Sequence, residues 1–115
     1  MGIGEVYMVK EVDVRELAAA HRGGALVVDV REPGEYLGGH VPGARLIPLR
    51  SLPARIPELP RGERIYVICA SGNRSRTAAT WLASAGLDAR TVNGGTSAWI
   101  AGGGPVVRGP HENAA

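Results

Sequence analysis

Two short runs of branched apolar residues constrain this chain more than any other feature in it. Ala25-Leu26-Val27-Val28-Asp29-Val30 and Arg64-Ile65-Tyr66-Val67-Ile68 are continuous rather than alternating, and turn residues bound them. Strands of this kind are covered on both faces, as in a parallel sheet held between layers of helix. Helical segments are available to supply those layers. Asp13 followed by Glu16 has the form of a capping pair, which predicts a helix from Val14 to His21 ended by Gly23-Gly24. A second helix is expected from about Ser75 to Ala85, where Ala78, Leu82 and Ala85 share a face and Gly86 stops it.

Shorter segments complete the pattern. Val6 to Val9, Leu46 to Leu49 and Ala89 to Val92 read as further strands. Arg31 to Gly43 carries Pro33, Gly34, Gly38, Gly39, Pro42 and Gly43 and reads as a polar loop. Ser51 is placed to cap a short helix through Ile56, with Pro57 and Pro60 breaking it. Gly94-Gly95 is a turn, and Thr96 to Ile100 a short helix. The alternation predicts one α/β domain, with a central, mostly parallel sheet flanked by helices. That domain is expected over residues 6–105, and residues 106–115 as a poorly ordered tail. Ligands bind such sheets at the carboxyl ends of the strands, where Asp29 and Cys69 both fall.

Composition narrows the possible functions. A chain of 115 residues fits a single domain with a real core. The net charge is +2 and no run of Lys or Arg forms a patch, so a nucleic-acid partner is not expected. No stretch approaches the roughly 18 apolar residues of a membrane span, so no membrane partner is expected either. The first residues, Met1-Gly2-Ile3-Gly4-Glu5-Val6, lack the basic and apolar segments of a signal peptide, and the expected location is the cytoplasm. One Cys excludes an internal disulfide and a C-x-x-C pair. His21, His40 and His111 have no metal-ligand spacing, so neither a metal nor another cofactor is expected.

The remaining signal is local. The second buried run leads straight into Cys69-Ala70-Ser71-Gly72-Asn73-Arg74-Ser75 and then into a helix. A lone Cys after a buried strand is ordinarily an inert core residue. The loop that follows argues for chemistry instead. A helix N-terminus leaves N–H groups unpaired and carries partial positive charge. Gly72 lets further N–H groups curl toward one point, and Arg74 adds a full charge nearby. Thiolate activation alone is a weak reason for such a loop. For a thiol moved from a pKa of ~8.5 to ~6.5, the thiolate fraction at neutral pH rises about 25-fold. Nucleophilicity then falls roughly 8-fold, so the net gain is only about threefold. Holding an anionic substrate, and the anion formed on the Cys, is the stronger reason.

Four stretches, in order, resemble the rhodanese family. Cys69-Ala-Ser-Gly-Asn-Arg74-Ser75 is similar to its active-site loop. Asp29-Val-Arg31-Glu32-Pro-Gly-Glu35-Tyr36 and Gly39-His40-Val-Pro42-Gly43-Ala44 are similar to two upstream signatures, and Asn93-Gly94-Gly95 with Trp99 to the closing one. The resemblance covers roughly residues 7–105. It implies a sulfurtransferase in which Cys69 takes sulfur from a small anionic donor such as thiosulfate and holds it as a persulfide. A small nucleophile such as cyanide, or a thiol including a protein thiol, then collects it. Ala70, Ser71, Gly72, Asn73, Arg74 and Ser75 would bind the substrate, with Arg74 either fixing the donor or bracing the loop. Asp29 and Arg31 would stand beside the loop, Asp29 accepting loop N–H bonds or pairing with an Arg, and Trp99 would pack beneath it. Glu35, Tyr36 and His40 read as loop-bracing residues.

Three other readings compete. A phosphatase on a similar fold resembles Cys-x5-Arg with a His before the Cys, whereas this chain has Ile68 before Cys69 and Cys-x4-Arg. The shorter loop suits sulfur better than a tetrahedral phosphoryl group. A sulfur carrier or regulatory binding module without turnover is the main alternative. A peroxide-sensing thiol is disfavoured by the lack of a resolving Cys.

Overall fold

The computed structural model describes residues 9–114. The two buried runs form β2 (Leu26–Asp29) and β4 (Arg64–Ile68). They are parallel neighbours, with Val28 beside Val67 and Asp29 beside Ile68. β5 (Asp88–Val92) lies on the other side of β4, and β1 (Lys10–Val12) and β3 (Arg45–Leu46) form the edges. The five-stranded order is β1-β5-β4-β2-β3, with every pair parallel. This is the α/β sheet expected from the continuous apolar runs. The strand expected at Val6–Val9 falls on residues 6–8, outside those described, and on Val9, while β1 begins at Lys10.

Side chains alternate across the sheet and so build two cores. Val28, Ile65 and Val67 pack with Leu52, Ala78, Ala79 and Leu82. Those partners come from α3 (Leu52–Arg55) and α4 (Asn73–Ser84). Val27, Tyr66 and Ile68 pack on the other face with Leu17, Tyr36 and Trp99. These belong to α1 (Val14–Arg22), α2 (Pro33–Leu37) and α5 (Gly95–Ala101). Leu17 is fully buried, so truncation to Ala would cost about 2–5 kcal/mol. The Asp13–Glu16 capping box starts α1: Asp13 Oδ1 accepts from Glu16 N at 2.8 Å and Glu16 Oε1 from Asp13 N at 3.2 Å.

Several expectations need correction. The segment 31–43 is not all loop, because it contains α2. Pro33 starts that helix, where its missing N–H costs nothing, and Glu35 Oε1 accepts the Glu32 N–H at 2.9 Å. Ser51 makes no side-chain cap, and Pro57 continues the chain into a 3-10 turn (Ile56–Glu58) rather than ending it. β3 ends at Leu46, and Leu49–Ser51 form another 3-10 turn.

Residues 106–114, expected from their composition as part of a poorly ordered tail, run back over the domain. Val107 bridges His40 through two backbone hydrogen bonds of 2.9 Å, and Gly109 N donates to Leu37 O at 2.9 Å. The buried His40 ring supplies the reason. Its Nδ1 lies 2.9 Å from Tyr36 O and its Nε2 2.8 Å from His111 O, so the tail carries one of the ring's two polar partners. No helix among the described residues is long and apolar enough to cross a membrane.

Candidate active site

β2 and β4 end side by side, and the site is built on their carboxyl ends. β4 stops at Ile68, and α4 begins at Asn73 with Gly72 as its N-cap. Gly72 has φ +121°, a conformation that side-chain-bearing residues rarely adopt. This turn folds the loop back onto the sulfur it follows. Gly72 N donates to Cys69 Sγ at 3.1 Å, and Ser75 Oγ lies 3.4 Å from it. Cys69 itself is only 1 % exposed. Burial pushes its thiol pKa up, but bonds from the Ser75 hydroxyl and the Ser75, Gly72 and Ser71 N–H groups outweigh this and leave it lowered. These groups converge on Sγ at the N-terminus of a twelve-residue helix, where charge on sulfur is favoured.

The backbone of the loop is held from the far side by α5. Thr96 N donates to Cys69 O at 2.8 Å and Ser97 N to Ala70 O at 3.1 Å. With those carbonyls fixed outward, the loop N–H groups are left to face inward. The approach requires Gly95. A Cβ there would lie 2.5 Å from Cys69 O and 2.6 Å from Ala70 O.

Charged residues around the loop are paired with one another. Arg74 Nη1 donates to Glu35 Oε1 at 2.7 Å and Nη2 to Oε2 at 2.9 Å, which ties the loop to α2. The Arg74 guanidinium holds the Glu35 carboxyl at a pKa of about 2. Asp29, fully buried, accepts from Arg31 Nε at 3.0 Å and from Nη2 at 2.9 Å, and it also takes the Arg31 backbone N–H at 3.0 Å. Arg31 Nη2 donates on to Gly39 O at 2.8 Å. Two upstream signatures are thus locked together beside the loop.

The structure therefore brings together Cys69, Ser71, Gly72 and Ser75, with Arg74 braced above them and Ala70 fixed by its carbonyl. Asp29 pairs with Arg31 rather than with the loop N–H groups. Ser71 and Asn73 lie on the exposed rim. Trp99 corrects an expectation. It lies one turn along α5 and joins the core on the opposite face of the sheet from Cys69. There it meets the His21 ring edge-on at 5.6 Å, and its Nε1 donates to Pro105 O at 2.7 Å. The residue is drawn there because its N–H needs an acceptor, which the returning tail provides. Thr91, which the sequence reading passed over, sits 2.8 Å from Ser75 Oγ. A polar residue on the core face of β5, in step with Ala89, was the available signal. Among the described residues no group of three His, Cys, Asp or Glu side chains could hold a metal ion.

Residues 13–102 match the rhodanese-like domain. A protein named sulfurtransferase from Allochromatium vinosum is 36% identical over 104 residues, covering 87% of this chain and 96% of its own. The solved structure of a rhodanese-related protein from Thermoplasma volcanium superposes with a TM-score of 0.81 at 36% identity, over 85% of this chain and 97% of that one. A rhodanese-like domain protein from Staphylococcus aureus gives 0.75 at 33% identity, over 79% and 91%. The chain belongs to the rhodanese-like family, a family of sulfurtransferase type.

Proposed function

We propose that this protein transfers sulfane sulfur in two steps through a persulfide on Cys69. The observation that carries the reading is the convergence of loop N–H groups and the Ser75 hydroxyl on Cys69 Sγ within a Cys-x4-Arg loop. In the first step the Cys69 thiolate attacks the outer sulfur of a donor such as thiosulfate. A new S–S bond forms, the donor's own S–S bond breaks, and its electron pair leaves with sulfite. The terminal persulfide sulfur then carries the negative charge, and N–H groups preorganised around the loop stabilise it. In the second step a nucleophile, cyanide or a thiol, attacks that terminal sulfur and Cys69 leaves as a thiolate. Dividing one transfer into two displacements is nucleophilic catalysis, and it calls for no proton-transferring partner beside the Cys.

Other roles follow from the pairing. Ser71, Gly72 and Ser75 bind the sulfur, while Ala70 and Asn73 complete the arc. Arg74 is a brace, because both of its forked donors are engaged by Glu35. Asp29 and Arg31 keep the neighbouring strand end rigid. With Cys69 1 % exposed, a slender donor fits the approach better than a bulky one. A lone free thiol is suited to the reducing cytoplasm.

Sulfite release tests the reading. With thiosulfate and no acceptor, the protein should release about one equivalent of sulfite and then stop until cyanide or a dithiol is added. Cys69→Ala should release none. Equal release by both proteins would refute it, and phosphate release from an aryl phosphate that depends on Cys69 would replace it with a phosphatase.

A further inference from the structure

One buried hydroxyl stands behind the reacting sulfur. Thr91 lies on β5 opposite Val67 of β4, on the face covered by α4, and is fully buried. Its Oγ1 is 2.8 Å from Ser75 Oγ, and among the described residues that is its one hydrogen-bonding partner. Ser75 Oγ in turn lies 3.4 Å from Cys69 Sγ and 3.2 Å from Gly72 O. Three groups therefore meet at one serine oxygen that has a single proton to give.

We propose that Thr91 is a positioning residue for the Cys69 thiolate, its hydroxyl donating to Ser75 Oγ so that the Ser75 proton is aimed at sulfur. The inference rests on the reading of Cys69 as the nucleophile. It follows from counting protons. When Cys69 is a thiol, its S–H donates to Ser75 Oγ, and Ser75 donates to Gly72 O. When Cys69 is a thiolate, Ser75 must turn its proton to Sγ. The serine oxygen has then lost the S–H and keeps a donor only if Thr91 supplies one. A bond accepted from Thr91 also polarises the Ser75 O–H and strengthens what it donates. Removing the Thr91 hydroxyl therefore penalises the thiolate more than the thiol. The loop N–H groups crown the sulfur from the loop, whereas this pair reaches it from the core. The pair acts when charge sits on Sγ itself, which is the state that attacks the donor and the state that leaves after transfer.

Thr91→Val keeps the branched shape that suits a strand and removes the hydroxyl. Alkylation of Cys69 by iodoacetamide, followed by intact mass between pH 5 and pH 9, reads the thiolate without any sulfur donor. The midpoint should rise by about 0.5–1 pH unit in Thr91→Val, which slows alkylation about 3- to 10-fold on the acid side of the profile. Thr91→Ser should follow the parent. A Thr91→Val profile that overlies the parent, with or without a lower melting temperature, would show a merely structural threonine and overturn the proposal. So would a Thr91→Ser profile displaced as far as Thr91→Val. If Thr91→Val does not fold, the comparison moves to Ser75→Ala and Ser75→Ala/Thr91→Val, where both members of the pair are apolar. A residue acting through Ser75 leaves those two midpoints equal, and a further rise in the double variant overturns the proposal. A parent that shows these midpoints but never accepts sulfur would instead overturn the sulfurtransferase reading.

Discussion

Arg74 and Glu35 meet across the edge of the Cys69 loop in a two-point ion pair, with both guanidinium contacts within 2.9 Å. The first residue closes the loop and the second sits on the short helix α2, so the pair fixes the loop to a separate part of the chain. That geometry makes Arg74 a brace for the N–H groups around Cys69.

Replacing the fork should therefore loosen the loop without removing its chemistry. Lys cannot make the two parallel contacts, so Arg74→Lys should slow sulfur loading of Cys69 about 3- to 10-fold. Glu35→Gln should slow it by a similar factor although it removes a negative charge that would repel an anionic donor. If Arg74 instead gripped the donor directly, Glu35→Gln would free it and loading would speed up. Sulfite release after mixing with thiosulfate separates the two.

The same pair predicts a pH dependence of stability. Glu35 has its folded pKa lowered from 4.5 to about 2, so its contribution is fully present above pH 4.5 and is lost as pH falls toward 2. Both side chains are 36 % exposed, which keeps the contribution below about 1 kcal/mol. Urea unfolding of the parent and Glu35→Gln should differ most at pH 5.5, draw together below pH 4.5 and converge only as pH falls through about 2. A constant difference across that range would contradict the pairing.

Gly95 is the point where α5 touches the loop. It has φ +58°, and an added Cβ would overlap Cys69 O and two atoms of Ala70. Gly95→Ala should cost about 2–4 kcal/mol and displace the loop carbonyls, lowering sulfur loading more than Arg74→Lys does. Urea unfolding and sulfite release on one preparation measure both effects.

The tail makes a prediction of its own. Ending the chain at Gly104 removes the acceptor of Trp99 Nε1 and two carbonyl oxygens within 3.3 Å of His40 Nε2. Buried polar atoms left without partners should cost the truncated protein about 2–4 kcal/mol, read from its urea midpoint. An unchanged midpoint would mean that water replaces the tail at both rings.

What the sequence made legible divides along physical lines. The runs at 26–29 and 64–68 could be read because a strand covered on both faces is apolar along nearly its whole length, with Asp29 and Arg64 only at the ends. The loop at Cys69 could be read because its glycine, small residues and following helix are contiguous. α2 escaped, because five residues are too few to show a helical period and its start is marked only by a proline and a glutamate pair. Trp99 was misplaced because its helix α5 does touch the loop, through Thr96 and Ser97, while helical rotation carries the Trp99 side chain to the other core. The tail looked loose because its tie is a buried histidine some seventy residues away, at |i−j| of 71. Thr91 lay hidden in the same way, since its partner sits on another element at |i−j| of 16.

The central claim is that Cys69 carries the sulfur, and intact mass tests it most directly. Parent and Cys69→Ala are incubated with thiosulfate, desalted and weighed, then exposed to cyanide and weighed again. The account predicts that the parent gains the mass of one sulfur atom, loses it to cyanide with formation of thiocyanate, and that Cys69→Ala never gains it. A parent that gains no sulfur from any sulfane donor tried, or a Cys69→Ala protein that gains as much as the parent, would contradict it.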